Sequence, residues 1–226
     1  MRVLVVGAKE GSLGHAVASE ARAAGHDVTC AGIGGEQTHM DVKKVQQIRA
    51  TLEEVKPHHL VCTVGVNEPG TIRGKGWLER LLRTQQVNYV GPLILASEFC
   101  RYWRDNPDED VVHHCVAISS NSAHIARSPS GSYCASKAAL SMGYRCAARE
   151  MSGMPFAIYT YEPGWMSRTP MSNQVMSDLA GQGVQPHRIP GGNEVDPREL
   201  ARMIVANLAF GRWLNGTSIR LDGGEQ

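Results

Sequence analysis

The sequence predicts an α/β fold, in which a doubly wound, mostly parallel β-sheet carries helices on both faces. Short β-branched runs alternate with segments of helical periodicity along the chain, and this alternation is typical of parallel sheets built from strand–helix–strand units. The first run, residues 2–6, leads into a glycine-rich turn and then into an alanine-rich helical segment. The 226 residues suffice for one domain but not for a separate second one, since domains commonly hold about 100–200 residues.

Strands are predicted from apolar, β-branched runs, and helices from apolar residues that recur every three or four positions. The predicted strands cover residues 2–6, 27–31, 59–64, 111–118, 156–161 and 218–221. The predicted helices cover residues 12–24, 42–55, 77–104, 131–151 and 197–210, and a break in the third is expected near Gly91 and Pro92. The stretch between Gly32 and Asp41 is too short for a helix and a strand, so we expect a loop and a short edge strand there.

Composition and charge argue against several classes of protein. Hydrophobic residues make up 42% and charged residues 20% of the chain, as in ordinary globular proteins. The 23 Lys and Arg against 22 Asp and Glu give a net charge of +1, so no electrostatic force favours nucleic acid or an anionic membrane. No apolar run approaches the roughly 20 residues that span a bilayer. We therefore expect a cytoplasmic protein without nucleic-acid or membrane partners.

Six cysteines are scattered along the chain without a C-x-x-C pair: Cys30, Cys62, Cys100, Cys115, Cys134 and Cys146. Several of them lie in apolar runs, where a thiol packs as a small hydrophobic group. We expect reduced cysteines, no disulfides and no metal site.

The glycine-rich turn after the first strand contains Gly7, Gly11 and Gly14. Glycines let the backbone approach a ligand closely, and the amides at a helix N-terminus suit a pyrophosphate. The turn alone leaves two interpretations open, a dinucleotide site or glycines required by packing. Lys9 within the turn either reaches a phosphate or extends into solvent.

Tyr133 and Lys137 are four residues apart and therefore share one face of the predicted helix. This pair alone is equally typical of a solvated helix face. Ser120 follows the predicted strand 111–118, and the carboxyl ends of parallel strands form the rim where such sheets bind ligands. The three side chains together therefore indicate a site.

Taken in order, these motifs and several others resemble the short-chain dehydrogenase/reductase family over the whole chain. The further motifs are Asp41-Val42, Thr63-Val64-Gly65, Asn88, Pro163-Gly164 and residues 221–224. The resemblance implies one Rossmann-type, NAD(P)-binding domain over residues 1–226. It also implies hydride transfer between a nicotinamide cofactor and a small alcohol, ketone or aldehyde. A catalytically inactive dinucleotide-binding regulator or sensor on the same fold is the alternative.

The resemblance assigns four catalytic residues. Tyr133 acts as acid and base, and Lys137, which also bonds the nicotinamide ribose, is expected to lower the pKa of Tyr133 because a nearby cation favours the phenolate. Ser120 hydrogen-bonds the substrate oxygen. Asn88 positions a water for proton relay, or else is a buried amide that satisfies backbone groups at a helix irregularity.

The resemblance also assigns cofactor contacts, and the sequence departs from the family pattern at two of them. Thr63 stands where the family has asparagine, which we expect to remove an amide that bridges strands. Two residues rather than one separate Gly11 from Gly14. The assigned contacts are Gly7, Lys9, Gly11, Ser12, Leu13, Gly14, Gly32, Asp41, Val42, Thr63, Val64, Gly65, Tyr133, Lys137, Pro163, Gly164 and Met166.

The choice between NAD and NADP usually depends on the residue just after the second strand, where a carboxylate binds the ribose or an arginine binds the 2′-phosphate. That residue is Gly32, which has neither charge. The proximity of Lys9 favours NADP(H) slightly.

Two further expectations concern the surroundings of the site. Residues 167–192 are rich in Met, Ser, Gln, Gly and Pro with weak periodicity, and we expect an irregular, mobile segment that forms a substrate lid. By the family resemblance, the long helices predicted over residues 77–104 and 131–151 associate copies of the chain into a homodimer or homotetramer.

Overall fold

A computed structural model describes residues 1–34, 37–108, 110–183 and 194–224. Its centre is a seven-stranded sheet with the order β3-β2-β1-β4-β5-β6-β7, in which every neighbouring pair is parallel. The strands are β1 (Arg2–Val6), β2 (Asp27–Gly32), β3 (Thr38–His39), β4 (His59–Cys62), β5 (His113–Ile118), β6 (Phe156–Pro163) and β7 (Ser218–Leu221). The predicted doubly wound parallel sheet is confirmed.

Helices cover both faces of this sheet. They are α1 (Leu13–Ala23), α2 (Val45–Val55), α3 (Trp77–Gln85), α4 (Gly91–Asp105), α5 (Gly131–Glu150), α6 (Pro170–Gly181) and α7 (Pro197–Asn207). In β1, Val3 and Val5 join the cluster that contains α1 and α7, whereas Leu4 and Val6 join the cluster that contains α2, α4 and α5. Side chains alternate along a strand, so an apolar strand such as β1 supplies both cores.

The long helix expected over residues 77–104 is interrupted earlier than Gly91. A π-helical turn, Gln86–Val90, separates α3 from α4, and Asn88 lies within it. Such turns are frequent at functional sites.

The segment expected to be irregular contains a helix, so that part of the prediction is wrong. Thr169 caps α6 by accepting a hydrogen bond from the Ser172 N–H, and Pro170 occupies the first helical position. Both are ordinary helix-start signals. Residues 184–192 of the expected lid lie outside the described residues.

The link between β2 and β4 is as short as expected. β3 has two residues, which pair with Ala31 and Gly32. All six cysteines are free. Within the described ranges, no three His, Cys, Asp or Glu side chains are grouped closely enough to hold a metal ion. No helix there is long and apolar enough to cross a membrane.

Candidate active site

A cleft of about 630 Å³ opens at the carboxyl ends of the central strands. It lies between the neighbouring strands β1 and β4. The strand order changes direction at this point, and ligands usually bind at such switch points in parallel sheets. Ser120 and all the cofactor contacts expected from the sequence, Gly11 excepted, line this cleft. The structure therefore brings together residues as far apart in the sequence as Gly7 and Met166.

The glycine turn between β1 and α1 has no room for side chains. A Cβ placed on Gly14 would lie 2.4 Å from Thr63 Oγ1 and 2.6 Å from the Gly7 carbonyl oxygen, and Gly7 itself has φ of +90°. Ser12 caps α1 by accepting a hydrogen bond from the His15 N–H at 3.2 Å. The N-terminus of α1 thus meets the cleft, in an arrangement that favours an anionic group.

Thr63 retains the strand link that its departure from asparagine was expected to remove. Its hydroxyl lies 3.0 Å from the carbonyl oxygens of both Val6 and Gly7. The Thr63 N–H also donates to Val6 O at 2.8 Å. The expectation of a lost bridge is therefore wrong, because a hydroxyl on β4's end reaches β1 as well.

We expect Gly14→Ala to destabilise the fold by about 3 kcal/mol, the upper range for an overpacked position. The reason is that the new methyl group would clash with backbone atoms of the turn, and neither can shift to relieve the clash. The measurement is urea unfolding combined with titration of NADPH binding. Gly181→Ala is the matched control, since a Cβ there meets nothing within 4 Å. Equal stability of the two variants would contradict this account of the turn.

Ser120, Tyr133 and Lys137 converge at the end of β5. Lys137 Nζ lies 5.6 Å from the centre of the Tyr133 ring and donates to the Ile118 carbonyl at 2.7 Å. Ser120 is hydrogen-bonded to the Tyr133 side chain, and its hydroxyl accepts from the Ser122 N–H at 3.1 Å. The three polar side chains therefore form one compact group.

Burial controls the electrostatics of this group. It raises the pKa of Tyr133 to about 12, although the hydrogen bond with Ser120 and the charge of Arg127 act in the opposite direction. Burial also lowers the pKa of Lys137 to about 8. In this structure burial outweighs the lowering of the Tyr133 pKa that was expected from Lys137, and the lysine donates to a backbone carbonyl. Tyr133 keeps its proton at neutral pH and can act as a hydrogen-bond donor.

The Asn88 side chain is fully buried and hydrogen-bonded within the protein. Its Oδ1 accepts from the Val66 N–H at 2.8 Å, and its Nδ2 donates to Val66 O at 2.8 Å and Ser136 Oγ at 3.0 Å. A Cβ on Gly65 would lie 3.5 Å from Lys137 Nζ and 3.6 Å from Asn88 Oδ1. The amide therefore fixes the segment after β4 beside the lysine, as the alternative interpretation expected. The relay role stays a prediction.

The helical form of α6 was missed, although its residues belong to the segment that was expected to cover the site. Thr169, Pro170, Met171 and Gln174 line the cleft. Pro170 Cδ lies 3.9 Å from a Cβ placed on Gly11, and Met171 Cε lies 3.3 Å from one placed on Gly65. The helix therefore extends from the glycine turn to the vicinity of the lysine. The Thr–Pro pair at its start was the available signal.

An ion pair that the sequence interpretation also missed lies on the wall formed by α3. Arg83 Nε donates to Glu68 Oε1 at 2.8 Å, and both residues line the cleft with Gln86. Arg83 and Gln86 are three residues apart, a spacing that places both on one face of a helix and could have indicated that they act together.

The end of the cleft near β2 carries charges of both signs. Gly32, Asp41, Val42 and Lys43 line it, and Lys9 is exposed at its edge. Lys43 Nζ lies 3.5 Å from Asp41 Oδ2. Neither the family's carboxylate nor its arginine is present at Gly32, as the sequence indicated.

The strand order, the glycine turn and the cleft at the switch point define a Rossmann-type protein. The chain belongs to the short-chain dehydrogenase/reductase family, because a family model described as enoyl-(acyl carrier protein) reductase matches residues 7–226. The expected family membership is thereby confirmed.

Known proteins of several activities resemble the chain. L-xylulose reductase of Caenorhabditis elegans is 27% identical over 168 residues, which cover 74% of this chain but only 65% of that protein. Thermoplasma acidophilum aldohexose dehydrogenase, solved in ligand-free form, has a TM-score of 0.82 at 25% identity over 99% of this chain and 92% of its own.

Two further solved structures share the fold at 20% identity, each covering 99% of this chain and 96% of its own. One is 3-oxoacyl-[acyl-carrier protein] reductase from Brucella melitensis in complex with NAD, with a TM-score of 0.82. The other is a point variant of actinorhodin polyketide ketoreductase with NADPH, with a TM-score of 0.85.

Proposed function

We propose that the chain is an NAD(P)-dependent oxidoreductase that interconverts a small alcohol and a ketone or aldehyde. One observation carries the proposal: the hydrogen-bonded pair Ser120 and Tyr133 lies beside Lys137 in the cleft that the glycine turn borders. The dehydrogenase and reductase names of the similar proteins support it. A single domain over residues 1–226, with a lid at about residues 167–192, is part of the same proposal, as is a cytoplasmic location.

The residues of the cleft fit a nicotinamide dinucleotide. The backbone of the turn from Gly7 to Gly14 and the N-terminus of α1 suit its pyrophosphate, and the cleft continues from there to Lys137, which would bond the nicotinamide ribose. Pro163, Gly164 and Met166 would hold the nicotinamide end. When bound, the cofactor donates or accepts the hydride.

The chain's own residues would supply the proton and orient the substrate. Ser120 and Tyr133 donate hydrogen bonds to the carbonyl oxygen and so stabilise the negative charge that develops there. Tyr133 then transfers its proton to that oxygen. The phenolate that remains is stabilised by the ammonium of Lys137. Alcohol oxidation uses the same groups in reverse.

The decisive experiment is NADPH or NADH oxidation followed by absorbance across a panel of ketones, aldehydes, ketoses and β-ketoacyl thioesters. Turnover of any of them supports the proposal. Cofactor binding without turnover of any of these carbonyl compounds would favour the regulator or sensor instead. We also propose a slight preference for NADP(H), because Lys9 lies on the rim of the cleft; tighter binding of NADH than NADPH in calorimetry would overturn it.

We also propose that two copies of the chain associate through α4 and α5. These helices enclose an apolar groove of about 840 Å³ that includes Leu93, Ile94, Met142 and Met151, and the Met142 side chain is 53% exposed. A twofold axis would let each copy cover the same groove of the other. This is the face that the family resemblance assigned to association.

At micromolar concentration we expect the chain to sediment as a dimer or tetramer. Met142→Glu should shift it to the monomer, because a charge placed in a buried apolar interface has no partner. Met203→Glu on α7, outside this groove, should leave the α4–α5 dimer intact. A monomeric wild-type chain would contradict the proposal.

A further inference from the structure

A buried carboxylate lies behind the proposed catalytic group and has no part in the mechanism above. Glu162 precedes the last residue of β6, and it is 1% exposed. Its Oε1 accepts from Ser141 Oγ at 2.7 Å, and its Oε2 lies 2.7 Å from His124 Nε2. Burying a carboxylate opposes folding unless its oxygens are hydrogen-bonded, so these two contacts hold it in place.

The contacts continue from Glu162 to the catalytic residues. Ser141, one helical turn after Lys137, also lies 2.8 Å from Ser119 Oγ. Ser119 Oγ also lies 3.0 Å from the Lys137 carbonyl. Since the Ser141 proton is donated to Glu162, the single proton of Ser119 is donated either to Ser141 Oγ or to this carbonyl. Because Ser119 directly precedes Ser120, these polar contacts reach the backbone of both Ser120 and Lys137.

His124 closes this chain at the surface. The backbone N–H of His124 donates to the Asn121 carbonyl at 2.9 Å. This contact lies at the end of the 3₁₀ turn that follows Ser120. Its ring is 48% exposed yet contacts the buried Glu162. The loop that presents Ser120 is thus attached at its far end to β6, whose last residue, Pro163, lines the cleft.

We propose that His124 and Glu162 are positioning residues that hold Ser120 and Lys137 at their working distance. The inference rests on the proposed function. The elements that present the site, β5, α5 and β6, are joined by these side chains. Ser119 lines the cleft, whereas Ser141, Glu162 and His124 do not. Hydrogen-bond partners that orient metal ligands contribute 10- to 100-fold to affinity or activity. We expect a comparable effect here, because small displacements of reacting groups cost rate steeply.

The first test compares kcat of three variants on a carbonyl turned over by the wild type. His124→Ala should lower kcat about 10-fold with the Kd for NADPH unchanged. The urea unfolding midpoint should also fall, because the buried Glu162 loses one of its hydrogen-bond partners. His124→Gln should restore kcat, since its amide can donate to Glu162 in place of Nε2. His39→Ala, at an exposed histidine on the edge strand β3, is the matched control. Wild-type kcat in His124→Ala, or no rescue by glutamine, would overturn the proposal.

The second test does not depend on turnover. Amide hydrogen exchange over residues 119–124 should accelerate in His124→Ala and return to the wild-type rate in His124→Gln. Glu162→Gln keeps the volume but replaces one of the two accepting oxygens by an amide donor, so exchange over the same residues should accelerate there too. Unchanged exchange in His124→Ala overturns the proposal even if no substrate is found. Tyr133→Phe in the first assay tests the proposed function separately. An active Tyr133→Phe variant would refute that function, and the exchange experiment alone would then decide whether His124 positions the loop.

Discussion

Replacing Tyr133 by phenylalanine is expected to lower kcat by about 10³-fold or more, within the 10²–10⁴ range for a general acid or base, while the Kd for NADPH changes less than about twofold. The hydroxyl is the group that Ser120 hydrogen-bonds, and the variant removes this proton donor alone. The aromatic ring still packs against the surrounding residues, so the cleft should keep its shape. The measurement is steady-state turnover of an identified carbonyl, with cofactor binding followed by calorimetry.

Tyr102→Phe provides the matched control for this substitution. Tyr102 lies on α4 and is buried in the hydrophobic core. It does not line the cleft. The Tyr102→Phe variant loses a phenolic oxygen, as Tyr133→Phe does, but leaves the residues of the site unchanged. Turnover of Tyr133→Phe at the rate of this control would refute the proposed mechanism.

The free energy of unfolding is expected to fall by about 4 kcal/mol between pH 7 and pH 5 through two buried histidines. Burial, assisted for His59 by the neighbouring His114, lowers the pKa of His59 from 6.5 to about 3. Burial also lowers the pKa of His114 to about 4. Below pH 6.5 the unfolded chain therefore binds two protons that the folded chain does not, so stability is lost as the pH falls. Each histidine contributes about 2 kcal/mol at pH 5.

The contacts of these histidines favour the neutral form. His59 Nδ1 accepts from the His114 N–H at 3.3 Å. His114 Nε2 lies 2.7 Å from the Phe210 carbonyl, and its Nδ1 lies 3.1 Å from the Tyr159 hydroxyl. A neutral ring with its proton on Nε2 satisfies both contacts of His114, whereas a second proton would remove the acceptor that faces Tyr159.

Urea unfolding at pH 7, 6 and 5 measures this effect. His59→Asn keeps an acceptor near the position of Nδ1 and should lose the contribution of His59, about 2 kcal/mol of the pH dependence. His39→Asn, at an exposed histidine, should keep all of it. If the free energy of unfolding of the wild type is the same at pH 7 and pH 5, the lowered pKa values of His59 and His114 are contradicted.

The fold was largely predictable from local patterns. Strands such as β1 consist of continuous apolar runs because both faces are buried, and the residues around Tyr133 keep helical spacing. Helix α6 was missed because its composition is polar and its periodicity weak, so that only its cap at Thr169 and the following proline marked it. Its position over Gly11 depends on tertiary packing, which no local pattern contains.

The site was predictable as a set of residues but not as a set of interactions. The family resemblance placed Ser120, Tyr133 and Lys137 correctly in one cleft. It could not show that burial raises the pKa of Tyr133, because that depends on every atom around the hydroxyl. Nor could it show the contact of Glu162 with His124, since the two residues are 38 positions apart and belong to no shared motif.

The close approach of Gly14 to Thr63 has a consequence for the evolution of the turn. The threonine hydroxyl occupies the space that a side chain at position 14 would need, and the same hydroxyl links β1 to β4. A substitution at either position therefore alters the space or the link available to the other. Among homologues, positions 14 and 63 are expected to covary, with changes at one tolerated only in particular sequence backgrounds at the other.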